Sequence, residues 1–430
     1  MRQSKSLWPW SLVICLGLLV HGSPPSASDG STQPDHLAAQ AVIDDAVRGG
    51  KLSFAVAALG TAEGELWSHA AGTRDDLGVE SASPDNIIQI ASMTKLITTI
   101  AALQLVEQGL LALDTPIDAY VPELAGLQVL KGFDAEDEPI FEPALRAPTV
   151  RELMTHTAGY VYEIWNADAQ KAATLGVTES AFTGGNFLAS PLAFQPGTAW
   201  EYGINTDWLG VLVEKRSGAR LATYFEDNIF EPLTMDHTYF ELPEAKLART
   251  VTVMARIDGK LAPAPMMQPQ SMAPGSMPFY SGGGGLYSTV ADYGRILQLL
   301  LNGGSLDGMT LLKSETVDLM FRNNIGDVQP VPLATLMPTV SNTADMSFGA
   351  PATFGLGLLL HPSGLAGGRQ ADTGSWAGLF NSYYWVDRES GLYGIFGTQI
   401  LPFYDADAIA TLLEFERAVY ASSPVASPPD

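Results

Sequence analysis

Residues 87–97 read Ile87-Ile88-Gln89-Ile90-Ala91-Ser92-Met93-Thr94-Lys95-Leu96-Ile97, and the apolar pattern continues through Ile100, Ala101, Leu103, Leu105 and Val106 to Gly109. This periodicity predicts a helix from Ile90 to Glu107 that opens at Ser92 and is stopped by Gly109. Ser92 and Lys95 are the only serine and lysine in the chain at this spacing. On a helix such residues share a face, so the Lys95 nitrogen can approach the Ser92 hydroxyl. The spacing alone occurs on many solvated helices. Its apolar flanks place this turn in the interior, where an unpaired lysine is costly and asks for a chemical reason. A serine hydroxyl is a poor nucleophile until a base takes its proton. Lys95 can do so as a neutral amine, a form favoured by burial and by the positive potential of the free N–H groups at the Ser92 end. Those N–H groups can also hold an oxyanion.

Two distant stretches supply further chemistry. In Trp200-Glu201-Tyr202-Gly203-Ile204-Asn205, Tyr202 is a second candidate base, since a phenol near an ammonium group can relay protons between nucleophile and leaving group. Its plain alternative is packing. Gly374-Ser375-Trp376-Ala377-Gly378-Leu379 leads into Asn381 and the strand Tyr383-Tyr384-Trp385-Val386. Small residues there let a strand edge approach a substrate, and an edge N–H can be a second oxyanion donor. The alternative is a simple strand entry. His156 reads as structural, because Lys95 and Tyr202 already fill the base role. No two histidines have metal-ligand spacing, no Gly-x-Ser-x-Gly elbow occurs, and Gly282 to Gly285 lack the Lys-Ser or Lys-Thr of a phosphate loop, so they read as a flexible turn.

Around these motifs, a helix is expected from His36 to Gly49 and a hairpin from Ser53–Leu59 with Glu65–Gly72. The middle third reads as a mainly helical subdomain, with helices at Val150–Thr155, Thr206–Arg216 and Leu221–Phe230, interrupted by a hairpin of Gln128–Phe133 with Ile140–Phe141. Ser288 or Thr289 caps a further helix. Strand-like runs follow at Thr353–Leu360, Ser382–Val386 and Gly391–Thr398, then a last helix from a cap at Asp407 to Ala418. The expected organisation is one α/β domain of residues 36–114 and 256–420 around a helical subdomain of residues 115–255.

With 430 residues, 46% of them hydrophobic, the chain can bury a sizeable core. A net charge of −24 and a pI near 4.5 disfavour binding to nucleic acid or anionic lipid. Residues 1–22 join Arg2 and Lys5 to the apolar run Leu12–Val20 and small residues at Gly22 and Ser23, which predicts an export signal and a periplasmic or secreted protein. The membrane is expected to be involved only if that segment stays as an anchor. Cys15, the only cysteine, lies within it, so thiol catalysis and cysteine metal sites are set aside. Residues 23–35 read as a linker and 421–430 as a disordered tail.

The ordered set Ile90-Ala91-Ser92-Met93-Thr94-Lys95, Leu153-Met154-Thr155-His156-Thr157-Ala158-Gly159, the Tyr202 segment, Gly282 to Asp292, Phe354-Gly355-Leu356-Gly357 and Trp376-Ala377-Gly378 resembles the serine β-lactamase and penicillin-binding-protein superfamily. Within it the chain is similar to the class C β-lactamase-like esterases, the family VIII carboxylesterases. The resemblance implies a β-lactamase/transpeptidase-like fold, with an antiparallel sheet flanked by terminal helices and a helical insertion. It implies Ser92 as nucleophile, Lys95 and Tyr202 as acid/base pair, and the amides of Ser92 and Leu379 as oxyanion hole, with no metal or organic cofactor. Class C β-lactamases carry asparagine two residues after the tyrosine, where this chain has Ile204, with Asn205 one further on as the candidate amide. Trp376-Ala377-Gly378 stands where those enzymes present Lys-Thr-Gly. A neutral indole offers an apolar wall and one donor, which favours uncharged small-molecule esters. The expected activity is an esterase or acyltransferase working through a Ser92 acyl-enzyme. The alternatives are a β-lactamase or D-Ala-D-Ala carboxypeptidase, and a catalytically silent binding protein on the same scaffold.

Overall fold

The computed structural model describes residues 36–181 and 186–422. The export segment and linker expected in 1–35 lie outside the described residues, as does the tail from residue 423. Helix α1 (His36–Arg48) buries Ala39, Ile43 and Ala46 along one helical face. Strands β1 (Phe54–Thr61) and β2 (Gly64–Gly72) form the expected hairpin, with Ala57 opposite His69. A single 3₁₀ turn, Ala91–Met93, carries Ser92 and leads into α2 (Thr94–Glu107). Every residue from Thr94 to Leu105 is buried, the polar Thr94, Lys95, Thr98, Thr99 and Gln104 included.

Helix α3 (Val150–Thr155) starts from a capping box of Thr149 with Glu152, and α4 (Asn205–Ser217) packs on α2. Helix α5 (Val290–Leu301) is capped by Thr289, whose hydroxyl accepts the Asp292 N–H. Strands β3 (Thr353–Phe354), β4 (Leu359–His361), β5 (Thr373–Gly378), β6 (Ser382–Asp387) and β7 (Leu392–Gly397) follow, then α6 (Ala406–Ser422). The seven strands form one antiparallel sheet in the order β3-β4-β5-β6-β7-β1-β2. Its layering follows from the two-residue alternation of strands. Tyr384 meets Tyr293 of α5 at 5.3 Å between ring centroids, while the next residue, Trp385, faces Phe415 of α6 at 6.1 Å. Helix α1 packs on α6, so the two terminal helices cover one face and α5 the other. This is the expected antiparallel sheet between terminal helices, with helical segments inserted between β2 and β3.

Three local expectations change. The run Thr353–Leu360 is two short strands, because Gly357, at φ 75°, turns the chain between them. The last helix is capped by Asp405 and not Asp407: its Oδ1 accepts the N–H groups of Asp407 and Ala408 at 3.2 and 3.1 Å. That helix also runs through Ser422, into the segment read as tail.

Strand β4 ends at His361, which is fully buried. Burial first, and the Arg369 guanidinium second, push its imidazole from 6.5 down to about 4. The unfolded chain therefore takes up this proton before the folded one as pH falls. The neutral ring's contribution is complete above pH 6.5 and is lost as pH drops through 4, roughly 3 kcal/mol across the window. His361→Phe is expected to flatten the fall in urea midpoint between neutral pH and pH 4.5. Equal acid sensitivity in variant and parent would refute this.

Candidate active site

Ser92 lies on the floor of a cleft of about 300 Å³. The preceding residue, Ala91, has φ 43°, a left-handed conformation that costs a non-glycine residue about 1–3 kcal/mol. Ala91 is held there by a small apolar cluster with Val253, Phe380 and Leu401, against which Leu379 also packs. Strand β5 reaches the same turn. A Cβ on Gly378 would stand 2.3 Å from the Ile90 carbonyl oxygen, so only glycine lets the strand lie this close to the nucleophile. Strand β4 pairs with β5 only at Thr373, Gly374 and Ser375. Trp376, Ala377 and Gly378 therefore present an open edge to the cleft, which they line together with Leu379. The expected edge strand is thus an interior strand of the sheet with one free half.

Lys95 is buried, and its Nζ lies 3.2 Å from Ser92 Oγ, 2.6 Å from the Gly283 carbonyl oxygen and 3.3 Å from Tyr162 Oη. Sequence reasoning missed Tyr162, which sits in an irregular segment after α3. Its phenol is pushed well above its usual range by burial first and then by the Asp207 charge, so it keeps its proton. The glycine run also differs from expectation. Gly282 and Gly283 are buried and neither has a positive φ. They are glycines because of close approach: a Cβ on Gly282 would lie 2.8 Å from the Thr206 carbonyl oxygen, and one on Gly283 would lie 2.3 Å from Asp207 Oδ2. The segment does turn, as expected, but the turn is a clamped support for Lys95.

Tyr202 is brought in by Gly203, where a Cβ would stand 2.2 Å from the Tyr160 carbonyl oxygen. Lys95 Nζ lies over the Tyr202 ring, 4.7 Å from its centroid, a cation–π contact. The Tyr202 hydroxyl accepts the Trp376 indole N–H at 3.3 Å. Behind this pair sits His156, its ring 4.7 Å from Tyr202 and 6.2 Å from Trp376. Burial, and next the Lys95 charge, hold its imidazole neutral. Asn205 is not at the cleft. It is fully buried, and its Nδ2 donates to the Tyr160 carbonyl at 2.8 Å and to His156 Nδ1 at 3.0 Å. As the first residue of α4 it is turned toward α3, so it orients His156 instead of touching a substrate. That bond makes Nδ1 the acceptor and leaves the imidazole proton on Nε2. Trp165, Leu333, Met346 and Phe403 complete the cleft wall, which contains no cation among the described residues.

A family model described as Beta-lactamase matches residues 40–417. The chain is 33% identical over 402 residues to the lovastatin esterase of Penicillium rubens, across 89% of this chain and 96% of that protein. It is 32% identical over 351 residues to the monacolin J acid methylbutanoyltransferase of Aspergillus terreus, across 78% of this chain and 82% of that one. Among solved structures it resembles the unliganded simvastatin synthase (LovD) of Aspergillus terreus, with 29% identity and a TM-score of 0.75 over 90% of this chain and 98% of that one. The chain belongs to the β-lactamase family. Fold and relatives together make it an enzyme of the serine hydrolase and acyltransferase kind that acts on esters.

Proposed function

We propose that this enzyme cleaves small, uncharged carboxylic esters through an acyl-enzyme on Ser92, and passes the acyl group to water or an alcohol. The observation that carries this reading is Lys95 Nζ at 3.2 Å from Ser92 Oγ, at the floor of a cleft walled by Trp376. To take the Ser92 proton Lys95 must act from its neutral amine, which keeps two N–H donors and one lone pair. In that form, donation to the Gly283 carbonyl and Tyr162 Oη leaves the lone pair for the Ser92 hydroxyl, 3.2 Å away. As Oγ attacks the ester carbonyl, the Oγ–C bond forms, the hydroxyl proton passes to Lys95, and the carbonyl electron pair moves onto oxygen. The amides of Ser92 and Leu379 hold that oxyanion. Collapse breaks the bond to the alkoxide, which takes a proton from Tyr202, replenished from Lys95. Tyr202 fits this role because it lines the cleft beside Ser92, and Tyr162 is not among the lining residues. Water or an alcohol then retraces the steps.

Acid quenching during turnover of a short-chain nitrophenyl ester, followed by peptide mass spectrometry, is expected to find one acyl group on Ser92. Turnover with the acyl group on another residue would overturn the reading. Trp376→Phe keeps the apolar wall and deletes the donor to Tyr202. Losing a hydrogen bond to a group that becomes charged predicts a kcat lower by roughly 10- to 100-fold at a similar KM. An unchanged kcat would show that the indole N–H is idle.

A further inference from the structure

Asp207, in the first turn of α4, is a fully buried carboxylate to which the reaction above gives no part. Burial pushes its carboxyl up and the Lys95 charge draws it down. Its Oδ1 accepts the Ser281 hydroxyl at 2.6 Å and the Gly283 N–H at 3.1 Å. Its Oδ2 occupies the space that a Cβ on Gly283 would need. The same residue, Gly283, turns its carbonyl to Lys95 Nζ at 2.6 Å, the shortest contact that the amine makes. One residue is thus gripped on its N–H side by Asp207 and grips Lys95 on its carbonyl side. The loop is fastened to α2 on either side: Thr98 Oγ donates to the Gly282 carbonyl at 2.7 Å, and Thr94 Oγ accepts the Leu286 N–H at 3.2 Å. A lysine side chain has four rotatable carbons and points where its strongest acceptor stands. The direction of the Gly283 carbonyl therefore sets whether Nζ faces Ser92.

We propose that Asp207 is a positioning residue for acyl transfer: by fixing Gly283 it holds Lys95 Nζ against Ser92 Oγ. This rests on the reading of Lys95 as the base. Asp207→Ala removes the acceptor, whereas Asp207→Asn keeps an Oδ1 for both donors. With the full-length protein and a nitrophenyl ester, Asp207→Ala is expected to lower kcat by about 10²-fold, the scale of an ångström-sized misplacement, with KM little changed. Asp207→Asn is expected to recover most of that loss. Should Asp207→Ala fail to fold, Ser281→Ala, which frees one side of the carboxylate, is expected to reduce kcat at constant KM. Native kcat in Asp207→Ala, or a Ser281→Ala variant altered only in melting temperature, overturns the assignment. A Ser92→Ala control separates the two layers. If it is dead while Asp207→Ala turns over normally, only the positioning role falls; if it is fully active, the acyl-enzyme itself falls.

Discussion

Ser92→Ala will give a folded protein whose turnover of a nitrophenyl ester is lower by at least about 10⁴-fold in kcat. The hydroxyl supplies the bond that becomes the acyl-enzyme, and no other serine, threonine or cysteine is among the cleft's lining residues. What survives is the oxyanion hole and the binding wall, which can still favour attack by water. The fold has little stake in this oxygen, because its hydrogen bond is to Lys95, which has the Gly283 carbonyl as its closer partner. Melting temperature and KM should therefore stay near those of the parent while kcat collapses. Steady-state kinetics alongside thermal denaturation checks this, and a variant with parental kcat would remove Ser92 from the reaction.

Lys95→Met should also separate activity from stability. Methionine fills much the same volume without the amine, so kcat is expected to fall by about 10³-fold, the usual worth of a positioned general base. Stability has two opposing contributions. The Gly283 carbonyl loses its lysine donor, at about 1–3 kcal/mol for an unsatisfied buried group. Against that, the amine no longer has to be kept out of water, a cost of the same order for a buried polar group. The two are of similar size, so the urea midpoint should stay near that of the parent. A sharp fall in midpoint would mark Lys95 as a structural residue.

Legibility in the sequence followed the range of the interaction. Ser92 with Lys95 was readable because helical spacing is local, and the hairpin of β1 and β2 because its two apolar runs are neighbours in sequence. Tyr162 was not, since it meets Lys95 across 67 residues and from a segment with no periodicity. Gly282 and Gly283 misled for a physical reason: runs of glycine usually mark unusual backbone angles, and here they mark the room taken by Asp207 and Thr206. Asn205 was assigned to the substrate by its place after Tyr202, yet as the first residue of α4 it is aimed at His156. The open half of β5 could not be foreseen, because it depends on where β4 stops.

That open half divides the labour of the site between two kinds of chemical group. Along residues 376–378 the strand offers the cleft its peptide groups, which every amino acid carries and only proline curtails. The indole at 376 and the facing walls from Trp165, Met346 and Phe403 are side chains, which single mutations rewrite. The oxyanion donors proposed at Ser92 and Leu379 are backbone too, so as long as Gly378 stays glycine they are less exposed to mutational drift than selectivity is. A lineage built on this strand can exchange one acyl group or alcohol for another without reinventing its chemistry.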